Sequence, residues 1–134
     1  MSWLYNGQEL LEIPSGKPEG FVYRITNTVS GKQYIGKKSF WMTKTYQLKG
    51  KTKRKMVESN WKEYFGSNEP LQKDVEALGQ ENFIREVLTI CATKALCSYH
   101  EARLQFVEDV LLKPELYYNS WIMVRVRGPH VAGK

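Results

Sequence analysis

Two short β-rich runs hinged on a small turn constrain this chain more than any other feature. "FVYRIT" (residues 21–26) and "KQYIGK" (32–37) are dense in β-branched and aromatic residues. The "NTVSG" between them supplies the Asn, Ser and Gly of a hairpin turn. Each run carries a tyrosine near its middle, Tyr23 and Tyr34. A loop of two or four residues would pair Tyr34 with Ile25 and set both rings on one face as diagonal neighbours. A loop of three or five would put them on opposite faces unless a bulge intervened.

Other elements follow from local signals. "NFIREVLTIC" (82–91) reads as a third strand. "NEPLQKDVEALG" reads as a helix, with Asn68 or Ser67 as cap, Pro70 in its first turn and Gly79 as its stop. "TKALCSYHEARLQFVEDVLLK" reads as a longer helix ended by Lys113–Pro114. At 100° per residue Leu96, Tyr99, Ala102, Phe106, Val107, Val110 and Leu111 form its apolar face. His100 and Arg103 fall within that face, and His100 reads as a satisfied buried histidine. "IMVRVRGPH" alternates like a strand before Gly128–Pro129. The sum is an α/β (α+β) domain: a small, mainly antiparallel three-stranded sheet flanked by helices.

Charge narrows the partner. The net charge is +6, and nine of the 20 basic residues fall between Lys32 and Lys55 with no acid among them. The remainder, 11 basic against 14 acidic residues, is close to neutral. A local basic stripe carrying Phe40, Trp41 and Tyr46 suits phosphates and stacked bases. Residues 38–60, which carry most of it, lack clear periodicity and read as a substrate-contacting insert. Lys37, Lys44, Lys49, Lys51, Lys53, Lys55 and Lys62 are the candidate nucleic-acid contacts. No apolar run approaches the roughly 20 residues that span a bilayer, so no membrane partner is expected. The N-terminus lacks a basic region followed by an apolar one, so secretion is not expected. Cys91 and Cys97 read as reduced core thiols of a cytoplasmic protein.

With the residues laid out, a resemblance becomes visible. "GFVY", followed by "YIGK" with its tyrosine eleven positions on, resembles the GIY-YIG nuclease signature, Phe21 and Val22 standing for its first apolar pair. "YFGSNEPLQKDVEALGQENFIREVL" and "YHEARLQFVEDVLLKPELYYNSW" are similar, in order, to later segments of freestanding phage homing endonucleases of that family. The likeness covers residues 20–121. It implies a nuclease domain over 20–121 with the basic insert 38–60, an N-terminal extension 1–19 and a C-terminal tail 122–134.

The resemblance also implies roles. Tyr23 would take a proton from the attacking water and Tyr34 would position phosphate. Glu101 would be the ligand of one divalent ion, Mg²⁺ or Mn²⁺, with Glu108 its rival seven residues on. Gly36 and Asn119 would be structural support. Many members place an arginine soon after the YIG strand; none follows soon after Gly36 here. Lys38, sharing strand parity with Tyr34, is the first replacement, Arg54 the second and Lys62 the third. The implied activity is metal-dependent hydrolysis of double-stranded DNA, in a host cytoplasm if phage-encoded. Alternatives are a restriction- or repair-type nuclease, or an inactive basic nucleic-acid-binding protein on the same scaffold. About 13 residues follow Trp121, so specificity is expected from the insert, the first 19 residues, a homodimer or a DNA-targeting partner.

Overall fold

In the computed structural model, which describes residues 2–133, the two tyrosine runs form the hairpin β3 (Gly20–Asn27) and β4 (Gln33–Ser39). Asn27 bonds Lys32, so the loop is the four residues 28–31. The Asn27 side chain closes it by accepting from the Val29 and Ser30 amides. Tyr34 therefore lies opposite Ile25, and Tyr23 opposite Gly36. The third run forms β7 (Phe83–Cys91), antiparallel to β3, with a register shift between Val22 and Tyr23. That bulge sits beside the first signature tyrosine, where a locally sharpened twist re-aims a side chain.

The sheet is wider than three strands. β1 (Trp3–Tyr5) runs parallel to β7, and β2 (Gln8–Leu10) folds back on β1, giving the order β2-β1-β7-β3-β4. Trp3 anchors this addition: it is fully buried, and its indole donates to the Trp61 carbonyl at 2.7 Å. Strand alternation divides the core in two. Phe21, Tyr23 and Ile25 face one layer with Trp3, Phe40 and Trp61. Val22 and Ile35 face the other, with Cys91, Cys97 and Tyr117. Both cysteines are buried and free.

The first helix, α1 (Glu69–Leu78), starts on Asn68, whose side chain accepts from the Leu71 amide, and stops at Gly79 with φ +92°. The second, α2 (Lys94–Val107), is capped by Thr93. It departs from expectation twice. It ends at Val107, not at Lys113, because Asp109 turns left-handed (φ 53°, ψ 44°) and a 3₁₀ turn follows over Val110–Leu112. Its buried side overlaps the expected face only in part: Ala102 and, in the turn that follows, Val110 are buried as expected, Cys97 and Gln105 join them, and Tyr99, Phe106, Val107 and Leu111 are exposed. The small residues let α2 approach β4 closely. There Gln105 donates to the Ile35 carbonyl at 2.9 Å, satisfying a backbone group of the edge strand. His100 is consequently half-buried; its Nδ1 accepts from Arg103 at 3.3 Å, and burial together with that cation lowers its pKa.

Residues 38–60 are not a loop. After β4 the chain forms an antiparallel ribbon, β5 (Trp41–Leu48) and β6 (Lys51–Glu58), which pair only with each other. Its alternation goes unnoticed because both faces are polar and solvated. Phe40 leaves the expected aromatic set: it is fully buried against Trp61, ring centroids 5.0 Å apart. Trp41 is half-buried, its indole donating to the Pro18 carbonyl. The tail forms no strand over 120–127; a short helix, α3, covers Gly128–Val131.

Candidate active site

The tyrosines of β3 and β4 meet on one face, ring centroids 6.1 Å apart. Gly36 makes this possible. A Cβ there would lie 2.5 Å from the Tyr23 hydroxyl and 2.8 Å from Tyr34 Cε2, so any side chain would push the phenols apart. Tyr23 is fully buried, and its hydroxyl has no partner of hydrogen-bonding geometry among the described residues. Burial raises its pKa well above 10, and Tyr64, Tyr34 and Glu101 push in the same direction. Tyr34 is only partly buried; burial raises its pKa too, with a hydrogen bond from Ser67 opposing.

Glu101 comes to the same edge from α2. Its carboxylate accepts from the backbone N–H of Lys37 on β4; burial raises its pKa and the Lys37 cation partly offsets this. Tyr34, Glu101 and Asn119 line one pocket, completed by Ser67, Asn68 and Gln105. Asn119 locks the wall in place. It accepts from the Ile35 amide at 3.1 Å and donates to the Ile35 carbonyl at 2.8 Å, pairing with an edge strand as a neighbouring strand would.

The basic candidates separate. Lys38 lies on the tyrosine face, its ammonium 4.3 Å from the Tyr64 ring centroid, and burial lowers its pKa. Lys37 points the other way and donates to Ser98 at 2.6 Å. Together with Lys94 and Glu19 they line a second pocket further along the outer edge of β4. Arg54 stands in mid-β6, opposite Thr45, and is not among the residues lining either pocket. Lys62 pairs with Glu12 and Glu58 at 3.3 and 3.6 Å, so its charge is answered within the molecule. Lys44, Lys49, Lys51, Lys53 and Lys55 are exposed on the ribbon. Glu108 is engaged elsewhere, by Arg24 and by the Tyr117 hydroxyl at 2.8 Å. Burial and that carboxylate push the Tyr117 phenol up to about 12.

Two residues that the sequence reading left without a role shape the site. Tyr64, from the segment "YFGS", packs edge-on against Tyr23 at 6.0 Å and carries Lys38 on its ring. Arg85 on β7 is buried between the Trp3 and Phe65 rings and donates to the carbonyls of Lys62 and Tyr64, fixing that segment. Burial lowers its pKa to about 10. The Tyr-x-Gly-Ser segment was a visible signal for Tyr64; an arginine in a strand gave none for Arg85.

A family model described as "Putative endonuclease segE, GIY-YIG domain" matches residues 3–122. The chain belongs to the GIY-YIG nuclease family. It is 30% identical over 99 residues to a protein named "Putative endonuclease segE" from Enterobacteria phage T4, an alignment covering 74% of this chain. That alignment spans 39% of the T4 protein's length. No solved structure matches the chain. The GIY-YIG match begins at residue 3, so the β1–β2 hairpin and the buried Trp3 fall inside it.

Proposed function

We propose that this GIY-YIG domain is a metal-dependent endonuclease that hydrolyses double-stranded DNA, of the freestanding phage type, acting in the host cytoplasm. The observation that carries the reading is the pocket at the edge of β4, which gathers Tyr34, Glu101 and Asn119 against the buried Tyr23. Among the described residues no group of three or more His, Cys, Asp or Glu could cage a metal. One carboxylate among hydroxyl and amide oxygens does fit a hard cation that retains most of its water. Glu101 would hold that Mg²⁺ or Mn²⁺, which when bound supplies positive charge to the phosphate as it becomes pentacovalent.

The remaining work falls to this chain's own groups. Tyr34, at the pocket wall, donates to a phosphate oxygen and orients it. Lys38, a half-buried cation, balances charge along the strand edge in place of the family's arginine. Tyr23 is held as a neutral phenol by burial, so in the free protein it is a donor. Acting as a proton acceptor for water would need positive charge nearby, from Lys38 or a bound divalent ion, to counter that burial. Asn119 keeps the pocket wall at fixed register.

Incubating supercoiled plasmid with the full chain and Mg²⁺ or Mn²⁺, beside Glu101→Ala and Tyr23→Phe, tests this. Cutting by the wild type, absent in EDTA and lost in both variants, is expected; cutting that survives in Glu101→Ala refutes the assignment. Mapped ends separate a homing enzyme from a restriction- or repair-type one by whether one long site, many short sites or branched DNA is cut. A second reading, a binding protein on an inactive scaffold, is favoured by the missing early arginine and the sealed Tyr23 hydroxyl. Absence of cutting on any DNA would select it.

A further inference from the structure

The register of the β5–β6 ribbon sorts its charges by face. Directly opposed residues share a face, and the pairs include Lys44↔Lys55, Tyr46↔Lys53 and Leu48↔Lys51. All four strand lysines, 44, 51, 53 and 55, therefore project from one side together with Tyr46. The other side carries Thr43, Thr45, Gln47, Thr52 and one cation, Arg54. No acid stands on the lysine face, whereas Glu58 lies on the opposite one.

Two features show that this arrangement works against the ribbon's own stability. Lys44 and Lys55 oppose each other directly, a like-charge cross-strand pair that destabilises. The two-residue turn has Lys49 at φ 51° and Gly50 at φ 76°, a geometry that favours Asn or Gly at its first position and disfavours lysine. A device that only kept the ribbon soluble would be served as well by charges of both signs on both faces. The remaining explanation is a partner that supplies the missing negative charge.

We infer that the lysine face of the ribbon is a grip for the sugar–phosphate backbone of duplex DNA, holding about five phosphates through Lys44, Lys49, Lys51, Lys53 and Lys55. This deepens the nuclease reading, on which the choice of duplex DNA rests. Eight residues per strand give an arm about 27 Å long. Lys51, Lys53 and Lys55 recur about every 6.8 Å along β6, and each strand of the duplex advances one phosphate per about 3.4 Å of axis. One lysine thus meets about every second phosphate. Such contacts position the protein and set affinity without reading sequence. The face bearing Arg54 turns away from the backbone and contributes little.

The test is the salt dependence of binding by the full chain to a labelled 30-base-pair duplex, followed by anisotropy in EDTA so that no cutting is required. Each phosphate contact adds about 0.9 to the slope of log affinity against log salt. A variant with Lys44, Lys51, Lys53 and Lys55 all changed to Gln should be shallower by about 3.6 and bind more than 100-fold more weakly at 0.15 M salt. A second variant adds Thr43→Lys, Thr45→Lys, Gln47→Lys and Thr52→Lys, restoring the net charge on the wrong face. It should stay shallow while keeping wild-type circular dichroism. Recovery of slope and affinity in that variant would overturn the face assignment. An unchanged slope in the first variant, or tighter wild-type binding to single-stranded DNA or RNA of equal length, would overturn the grip. A protein that cuts nothing yet shows these slopes loses the nuclease reading and keeps this one.

Discussion

Burial raises the pKa of both Tyr23 and Glu101, and the consequences for them run in opposite directions. Among the described residues the Tyr23 hydroxyl has no partner of hydrogen-bonding geometry, and an orphaned polar group costs about 1–3 kcal/mol. Tyr23→Phe deletes only that oxygen. It should leave melting temperature equal or higher while cutting falls about 100-fold or more, as for a lost proton-transfer group; a drop in melting temperature would mean that the hydroxyl has a structural partner. Glu101 has a folded pKa above its unfolded value, which lies near 4.3. Its contribution to stability is present below that unfolded value and is lost as pH rises through the folded one. Glu101→Gln should therefore gain stability relative to wild type as pH rises from about 4 towards 8, in denaturant midpoints measured across that range. Cutting by the wild type should rise over the same window as the carboxylate ionises. An equal stability gap at all pH values would place the carboxylate in ordinary solvent.

Among the elements, α2 shows why hydrophobic pattern alone misorients a helix. Its apolar stripe is the longer and stronger signal, yet Phe106 and Val107 are 61% and 68% exposed. Ala102 and Val110 of that stripe are buried, but the helix adds Cys97 and Gln105 to its inner side, because β4 is an edge strand whose backbone must be satisfied. Asn119→Ala removes both bonds to Ile35 and should cost about 2–3 kcal/mol in urea unfolding. Phe106→Ser should change stability by no more than about 0.5 kcal/mol. The reverse order would restore the stripe as the packing face. The same contrast marks what was readable. The tyrosine hairpin, β7, α1 and the family signature rest on local chemistry: turn residues, a cap at Asn68, a stop at Gly79. The face of α2, the β1 pairing and the burial of Arg85 depend on partners distant in the chain, and no local period encodes them. The ribbon escaped for another reason, since a strand with two solvated faces shows no apolar alternation.

At the scale of the whole molecule, the ribbon and the sheet are mechanically separate. β5 and β6 pair only with each other, and the chain leaves and re-enters the core at adjacent points, Ser59 N–H donating to the Phe40 carbonyl at 2.8 Å. The anchors at the root are Phe40 and Trp61, buried in the core, and the Trp41 indole on Pro18. Nothing between Thr43 and Met56 belongs to either buried cluster. Replacing residues 43–56 by Asn-Gly closes the hairpin on the Met42↔Val57 pair with a favoured two-residue turn. The excised chain should melt within a few degrees of wild type, because no core side chain is lost. If cleavage chemistry resides at the edge of β4, the shortened protein should still cut at high enzyme concentration and low salt, where free-energy loss in DNA binding is compensated by mass action. Its cutting at 0.15 M salt should fall at least tenfold. Loss of cutting under both conditions, with melting preserved, would instead place part of the catalytic machinery on the ribbon, with Arg54 as the residue to restore first.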